Sequence, residues 1–574
     1  MLSAKGVSAW LALVSLGYAL LVSWLDPALP WPVTFASREP WTLVFLNLVP
    51  VLILHAALLA WTRRLLMSCW ITVLALGALY FINQLKLQEL ATPLLPDDFH
   101  FLKTIGVSYA FFSQYLASSR LQLTFAVAAL GVTLLLCRER PVHALQGLPR
   151  VAIAICTVLL WISLVQGSSP WNSFYVPGRL QFEPWAPRDS AARAGLIANL
   201  LLLHWELRTD PHAKLDVPAS RQLLRELNLH AVSPARDPRS PLPDIIIVQS
   251  ESLFDVRRMK GIDAAIMPAL DAAAQRGWSG DLYVPTFGGG TIRTEFEVLT
   301  ALPLAAFPQV RYPYLQLTRG EIPSIVHELR RNGYETLAIH PNGGAFWNRN
   351  RAFRALGFDR FLDGDAFIDA PRFGWYVSDA ALVDRIMAEL REDGPPQLIM
   401  GISIQNHGPY DAVPLPDAER LELVGSTLEP PSKVALESYL SLLRATDAAL
   451  ARLIEFVDAR PRDTLLLVYS DHLPPMNAVF SQLGFQDERR PEEQPVPWLL
   501  IDNRSRERRT DDRPAWLLPT LLVEKTGVNT SRYFAALMDH AAFNDVRDPT
   551  EAMKVLARLQ YADELEDVLA EEES

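Results

Sequence analysis

Five predominantly apolar stretches, at about 8–25, 41–62, 67–84, 121–137 and 151–167, constrain this chain more than anything else in it. Each is long enough to cross roughly 30 Å of hydrocarbon as a helix, the conformation in which a lone segment satisfies its own backbone polar groups there. Five in succession argue against the buried helices of a soluble bundle. The first is not a cleavable signal, because its apolar stretch is long and further spans follow. Mean hydropathy is slightly positive although 20% of the 574 residues are charged, so the average covers two unlike parts. Residues 1–167 are apolar with sparse charge, and from about 206 onward charges and prolines reach the frequencies of a globular protein.

Lysines and arginines orient the spans, since basic connections stay in the cytoplasm. Lys5, then Arg63 and Arg64, then Arg138, Arg140 and Arg150 fall in alternate connections. An odd number of spans then puts everything after residue 167 outside the cytoplasm. The three cysteines, Cys69, Cys137 and Cys156, lie in or beside the spans. The exported part therefore has no disulfide framework and no thiolate ligands. A net charge of -11 supplies no footprint for nucleic acid, and the acidic end ADELEDVLAEEES reads as a solvated helix or frayed end.

The expected organisation is a five-helix transmembrane domain at 1–167, a linker with interfacial helices at 168–240, a catalytic domain at 241–545 and an acidic helix or tail at 546–574. In the linker, LIANLLLLHW is too short to span and suits the interface. From residue 244, the apolar runs DIIIVQ, ETLAIH, QLIMGISI, TLLLVYS and VPWLLID alternate with helical patterns at 322–332, 379–390 and 432–458. Apolar runs without alternation predict a mainly parallel sheet covered on both faces. The fold class is a multi-span α-helical membrane domain plus an exported α/β domain.

Ligands of an open α/β sheet sit beyond the carboxyl ends of its strands. Glu251, His340, His407 and the adjacent Asp471 and His472 all fall at such ends. Singly they read equally as a turn acid, loop histidines and a helix cap. Together, two carboxylates and an imidazole suit a divalent cation such as Mn, Mg or Zn. VPTFGGGTIRTEFEVLTALP adds a glycine loop before a helical pattern, with Thr291 at its start. That loop reads either as an anion cradle or as a plain turn with a threonine cap.

The motifs QSES at Glu251, GGGTIRTEF at Thr291, HPNGGAFWNRN at 340–350, NHGPY at 406–410 and SDHLP at 470–474 resemble the lipoteichoic acid synthase type of the sulfatase and alkaline phosphatase superfamily. They occur in that family's order, behind a similar five-span anchor. The resemblance implies an alkaline phosphatase/sulfatase-like fold and one divalent ion, often manganese, held by Glu251, Thr291, Asp471 and His472. Thr291 is then the nucleophile, and His340, Trp347, Arg349 and His407 hold the phosphoglycerol group. It implies a bacterial inner-membrane enzyme whose donor is phosphatidylglycerol and whose acceptor is a glycan or glycerol-phosphate hydroxyl.

One departure stands out. The family often has serine just after the threonine, and this chain has Ile292; Thr286 and Thr294 are neighbours, but the spacing to Glu295 and Phe296 selects Thr291. Phosphoethanolamine transfer is a rival on the same fold, although such enzymes typically carry disulfides in the exported domain. Sulfatase action needs a Cys or Ser in a C/S-x-P-x-R setting that GTIRTEF lacks. A non-catalytic assembly protein would be expected to have lost its metal ligands.

Overall fold

The computed structural model describes residues 4–29, 38–90, 93–96, 98–99, 120–177, 180, 182, 187–206, 222–224, 227, 241–262, 265–318, 320–423, 427–543 and 547–573. These fall into two compact units, 4–206 and 222–573. The Pro/Arg-rich part of the expected linker lies outside the described residues.

Every expected apolar stretch of the first unit is helical: Ala4–Leu25, Arg38–Thr62, Leu65–Leu90, Arg120–Leu136 and Leu148–Val165. Among the described residues, three segments are long and apolar enough to cross a membrane: Trp41–Thr62, Leu65–Gln88 and Leu148–Val165. Trp10–Leu25 and Val127–Leu136 are apolar but shorter.

Basic connections meet at one end of this unit. The Glu139 carboxylate accepts the Leu66 and Met67 backbone N–H groups at 3.0 and 2.9 Å, capping the third helix. Arg64 Nε donates to the Glu139 carbonyl at 2.8 Å, and Arg150 Nε to the Ala60 carbonyl at 2.9 Å. Helix ends leave such groups unsatisfied, so charges gather where two ends meet. Elsewhere in the unit, Asp26 Oδ2 accepts the Leu196 N–H at 2.8 Å and Asn47 Oδ1 the Ala198 N–H at 3.0 Å. The apolar stretch expected in the interface is thus the helix Leu196–Glu206, its N-terminus capped by the unit and its Leu196, Ala198 and Leu202 buried in it.

Eleven strands are described in the second unit: β1 (Asp244–Ser250), β2 (Trp278–Tyr283), β3 (Glu335–Ile339), β4 (Arg360–Leu362), β5 (Arg372–Phe373), β6 (Tyr376–Val377), β7 (Gln397–Ile402), β8 (Thr464–Ser470), β9 (Val496–Asp502), β10 (Arg509–Thr510) and β11 (Arg513–Pro514). Strands β5 and β6 pair only with each other, and the rest form one sheet in the order β10-β2-β9-β8-β1-β7-β3-β4, with β11 also on β2. Five contiguous strands running out to one edge, β8, β1, β7, β3 and β4, are parallel, whereas β9 runs antiparallel to both β8 and β2. Strands β1, β7 and β8 are buried throughout, as their unalternating sequences require. Helices Ile325–Arg331, Asp379–Glu389 and Pro430–Ala459 fill the expected places.

The acidic C-terminus is less solvated than its sequence suggests. Helix Glu551–Ala562 buries Met553, Leu556 and Leu559, and Arg558 Nε donates to the Ala306 carbonyl at 2.7 Å. The following helix, Leu565–Glu573, buries Leu565, Val568 and Leu569 while Glu566 and Asp567 are exposed.

Candidate metal and nucleophile site

Parallel strands deliver their ends to one edge. Ser250 on β1 is in register with Ser470 on β8, so the next residues, Glu251 and Asp471, leave the sheet side by side. The same edge receives His340 after β3, and Ser403, Asn406 and His407 after β7. Strand β2 is antiparallel to β9 and so runs with β8, which brings the glycine loop and Thr291 to this edge.

Glu251, Asp471 and His472 are buried, and each offers one ligand atom within 4.8 Å of the others. His472 Nε2 lies 3.2 Å from Asp471 Oδ2, 3.7 Å from Glu251 Oε1 and 3.5 Å from Thr291 Oγ1. The adjacency of Asp471 and His472 has a local cause: the chain leaves β8 at Ser470, and the Asp471 Oδ1 atom accepts the His472 N–H at 2.9 Å. His472 Nδ1 donates to the Leu473 carbonyl at 2.9 Å, which fixes the tautomer that leaves Nε2 a lone pair. Ser252 supports the group, its N–H donating to Asp471 Oδ1 and its hydroxyl to Glu251 Oε1, both at 2.8 Å.

Two observations fit a cation here. Asp471 Oδ2 is buried with no hydrogen-bond partner among the described residues, a state natural proteins rarely leave uncompensated. Burial, reinforced by Asp471, pushes the Glu251 carboxyl well above its usual range. Two carboxylates and an imidazole crowded out of water are the donor set of a hard or borderline divalent ion.

Around this group, His340 is buried and its Nδ1 lies 3.0 Å from the Ile402 carbonyl. Burial, with Arg349 nearby, holds it well below its ordinary pKa, so it is neutral. His407 is lowered to about 4, chiefly by burial, and its Nδ1 lies 3.3 Å from the Tyr376 hydroxyl. Arg349 forms a fork with Glu295, Nη2–Oε2 at 2.7 Å and Nε–Oε1 at 3.2 Å. Trp347 takes a left-handed backbone, φ 59°, and its ring packs 5.1 Å from that of Tyr312.

The structure therefore brings Glu251, Thr291, Asp471 and His472 together, with Arg349 near enough to shift Glu251 and His340, and His407 near Asp471 and His472. Sequence reasoning missed Ser252, Glu295 and Tyr376. Glu295 carried a usable signal, one helical turn after Thr291, whereas Tyr376 sits on a two-residue strand that periodicity cannot reveal.

Residues 243–541, more than half of the chain, match the family model named Sulfatase. The chain belongs to the sulfatase family. It is 33% identical over 243 residues to the Rhizobium meliloti "Putative cyclic beta-1,2-glucan modification protein", covering 42% of this chain and 37% of that one. It is 23% identical over 212 residues to the "Lipoteichoic acid synthase-like YvgJ" of Bacillus subtilis, covering 36% and 33%. The chain thus spans less than half the length of these relatives.

Two solved structures share the fold of this sulfatase-family chain. Phosphoglycerol transferase GacH of Streptococcus pyogenes, in complex with sn-glycerol-1-phosphate, has a TM-score of 0.51 at 22% identity, over 60% of this chain and 92% of that one. The integral membrane phosphoethanolamine transferase EptA of Neisseria meningitidis has a TM-score of 0.52 at 13% identity, over 92% and 98%. The resemblance to the lipoteichoic acid synthase type of the superfamily holds, as does an α/β domain behind a region of apolar helices.

Proposed function

We propose that this chain is a membrane-anchored, metal-dependent transferase that moves phosphoglycerol from phosphatidylglycerol to a glycan hydroxyl outside the cytoplasm. One observation carries the reading: Thr291 Oγ1 sits 3.5 Å from His472 Nε2, at the edge of the buried Glu251, Asp471 and His472 group. Glu251, Thr291, Asp471 and His472 would hold one divalent ion, manganese in the leading reading. Bound there, the ion supplies Lewis acidity that lowers the pKa of a coordinated hydroxyl.

Thr291 Oγ attacks phosphorus, the bond from phosphorus to the diacylglycerol oxygen breaks, and diacylglycerol leaves carrying the hydroxyl proton. An acceptor hydroxyl then attacks the phosphothreonine, and Thr291 regains its proton. Arg349 offsets charge on the phosphoryl oxygens, and neutral His340 and His407 supply hydrogen bonds to the phosphoglycerol group, with Trp347 beside it. A glycan acceptor is in keeping with the name of the 33% identical relative. The apolar helices would hold the site near its lipid donor.

The purified full chain, given headgroup-labelled phosphatidylglycerol, should release diacylglycerol only with added metal and carry the label on Thr291 by peptide mass spectrometry. Thr291→Ala should lose at least about a thousandfold in rate. Release that needs no metal, or that survives Thr291→Ala, removes the reading. Faster turnover of headgroup-labelled phosphatidylethanolamine would replace the donor and keep the chemistry.

A further inference from the structure

The Glu295 carboxylate belongs to none of the roles above, yet three parts of the site depend on it. It lies four residues after Thr291, one turn along the helix Ile292–Thr300 that the nucleophile opens. Its side chain is 0% exposed and that of its partner Arg349, at the head of helix Arg349–Ala355, is 2% exposed. Gln249 Nε2 approaches Glu295 Oε2 at 3.4 Å, and the Tyr469 hydroxyl donates to Gln249 Oε1 at 2.5 Å. Gln249 and Tyr469 are register neighbours on β1 and β8, two residues before Glu251 and Asp471. One carboxylate thereby ties the nucleophile's helix to Arg349 and to both strands that end in metal ligands.

A buried ion pair is weak as a stabiliser, because desolvation offsets most of its attraction. What a two-pronged fork supplies is geometry. Nε and Nη2 are committed to Glu295, and Nη1 has no hydrogen bond among the described residues. An uncompensated guanidinium would attract donor, phosphothreonine and product alike, and such uniform binding does not speed turnover.

We propose that Glu295 is a positioning residue that fixes Arg349 and cancels its charge at rest, leaving a single guanidinium nitrogen for the transferred phosphoryl group. The proposal rests on the phosphoryl-transfer reading of this site. Its test is the affinity of the metal-loaded full chain for sn-glycerol 1-phosphate, by titration calorimetry, beside turnover and thermal melting.

Glu295→Gln, which keeps the shape and loses the charge, should bind this anion about tenfold more tightly, the step from a neutral to a charge-assisted hydrogen bond, while kcat falls. A merely structural role predicts weaker binding, so affinity that is unchanged or lower in Glu295→Gln overturns the proposal. Glu295→Asp keeps the charge and shortens the reach, so it should hold wild-type affinity and lose turnover. If Glu295→Gln does not fold, Glu295→Asp decides alone, and wild-type turnover there overturns the proposal. Wild-type protein that binds no sn-glycerol 1-phosphate sinks the phosphoryl-transfer reading and this proposal with it, whereas wild-type binding that Glu295→Gln leaves unchanged sinks only the latter.

Discussion

Single side chains around the candidate ion carry distinct burdens. The Ser252 hydroxyl touches Glu251 Oε1 and has no place in the reaction itself, so Ser252→Ala tests whether the outer support tunes the metal. Such partners typically govern ten- to a hundredfold of affinity, and manganese titration of the variant should show a loss of about tenfold; an unchanged constant would mean the hydroxyl is idle. Glu297, buried on the helix Ile292–Thr300, is raised to about 7 by burial, against which the Leu304 N–H and Arg293 pull down. A folded pKa above the ordinary 4.5 means that its stabilisation is complete below pH 4.5 and lost as pH climbs through 7. Glu297→Gln keeps the acceptor for Leu304 and cannot ionise, so between pH 5 and 8 it should gain on wild type by about 2.5 kcal/mol. Urea unfolding at the two pH values measures this, and parallel losses in both proteins would refute it.

Elements were legible where one physical signal dominated. Strands β1, β7 and β8 announced themselves because both of their faces are covered, so nothing polar interrupts them. Strand β2 did not, since Trp278–Tyr283 mixes buried and half-buried residues and contains Gly280. That glycine is where the edge strands come closest: a Cβ there would lie 2.0 Å from the Asp511 carbonyl oxygen, which is backbone. Gly280→Ala should therefore push residues 509–514 off β2 and cost about 1–3 kcal/mol, read as a lower melting temperature with metal affinity intact. A variant as stable as wild type would mean the edge gives way freely. That Glu251, Asp471 and His472 would meet was readable from sequence because strand ends converge in this architecture, and Thr291 drew notice through the glycine loop before its helix. The Arg349 fork was not, because nothing local to HPNGGAFWNRN says which carboxylate, 54 residues away, will meet it.

For the whole molecule, the division into an apolar helical unit and an α/β unit was legible in the chain's hydropathy, but not how much of residues 168–206 joins the former. Helix Leu196–Glu206 read only as an interfacial segment because its caps, Asp26 and Asn47, come from far along the chain. The proposed topology is testable through the cysteines, since the second unit has none and Cys137 sits exposed beside Arg138. In a chain with Cys69, Cys137 and Cys156 changed to serine, a membrane-impermeant maleimide applied to intact spheroplasts should label Glu488→Cys. A chain that keeps Cys137 alone should react only after lysis. The reverse pattern would invert the protein and remove its access to an extracytoplasmic acceptor.

The pairing of Ser250 with Ser470 bridges more than two hundred residues, so the proposed cage for an ion cannot exist until distant halves of the polypeptide have found each other. A partly assembled chain has nothing to chelate with. Cation uptake should consequently trail sheet formation during refolding, making the metal a late checkpoint that separates finished molecules from stalled ones, and stopped-flow mixing with a fluorescent chelator would time it.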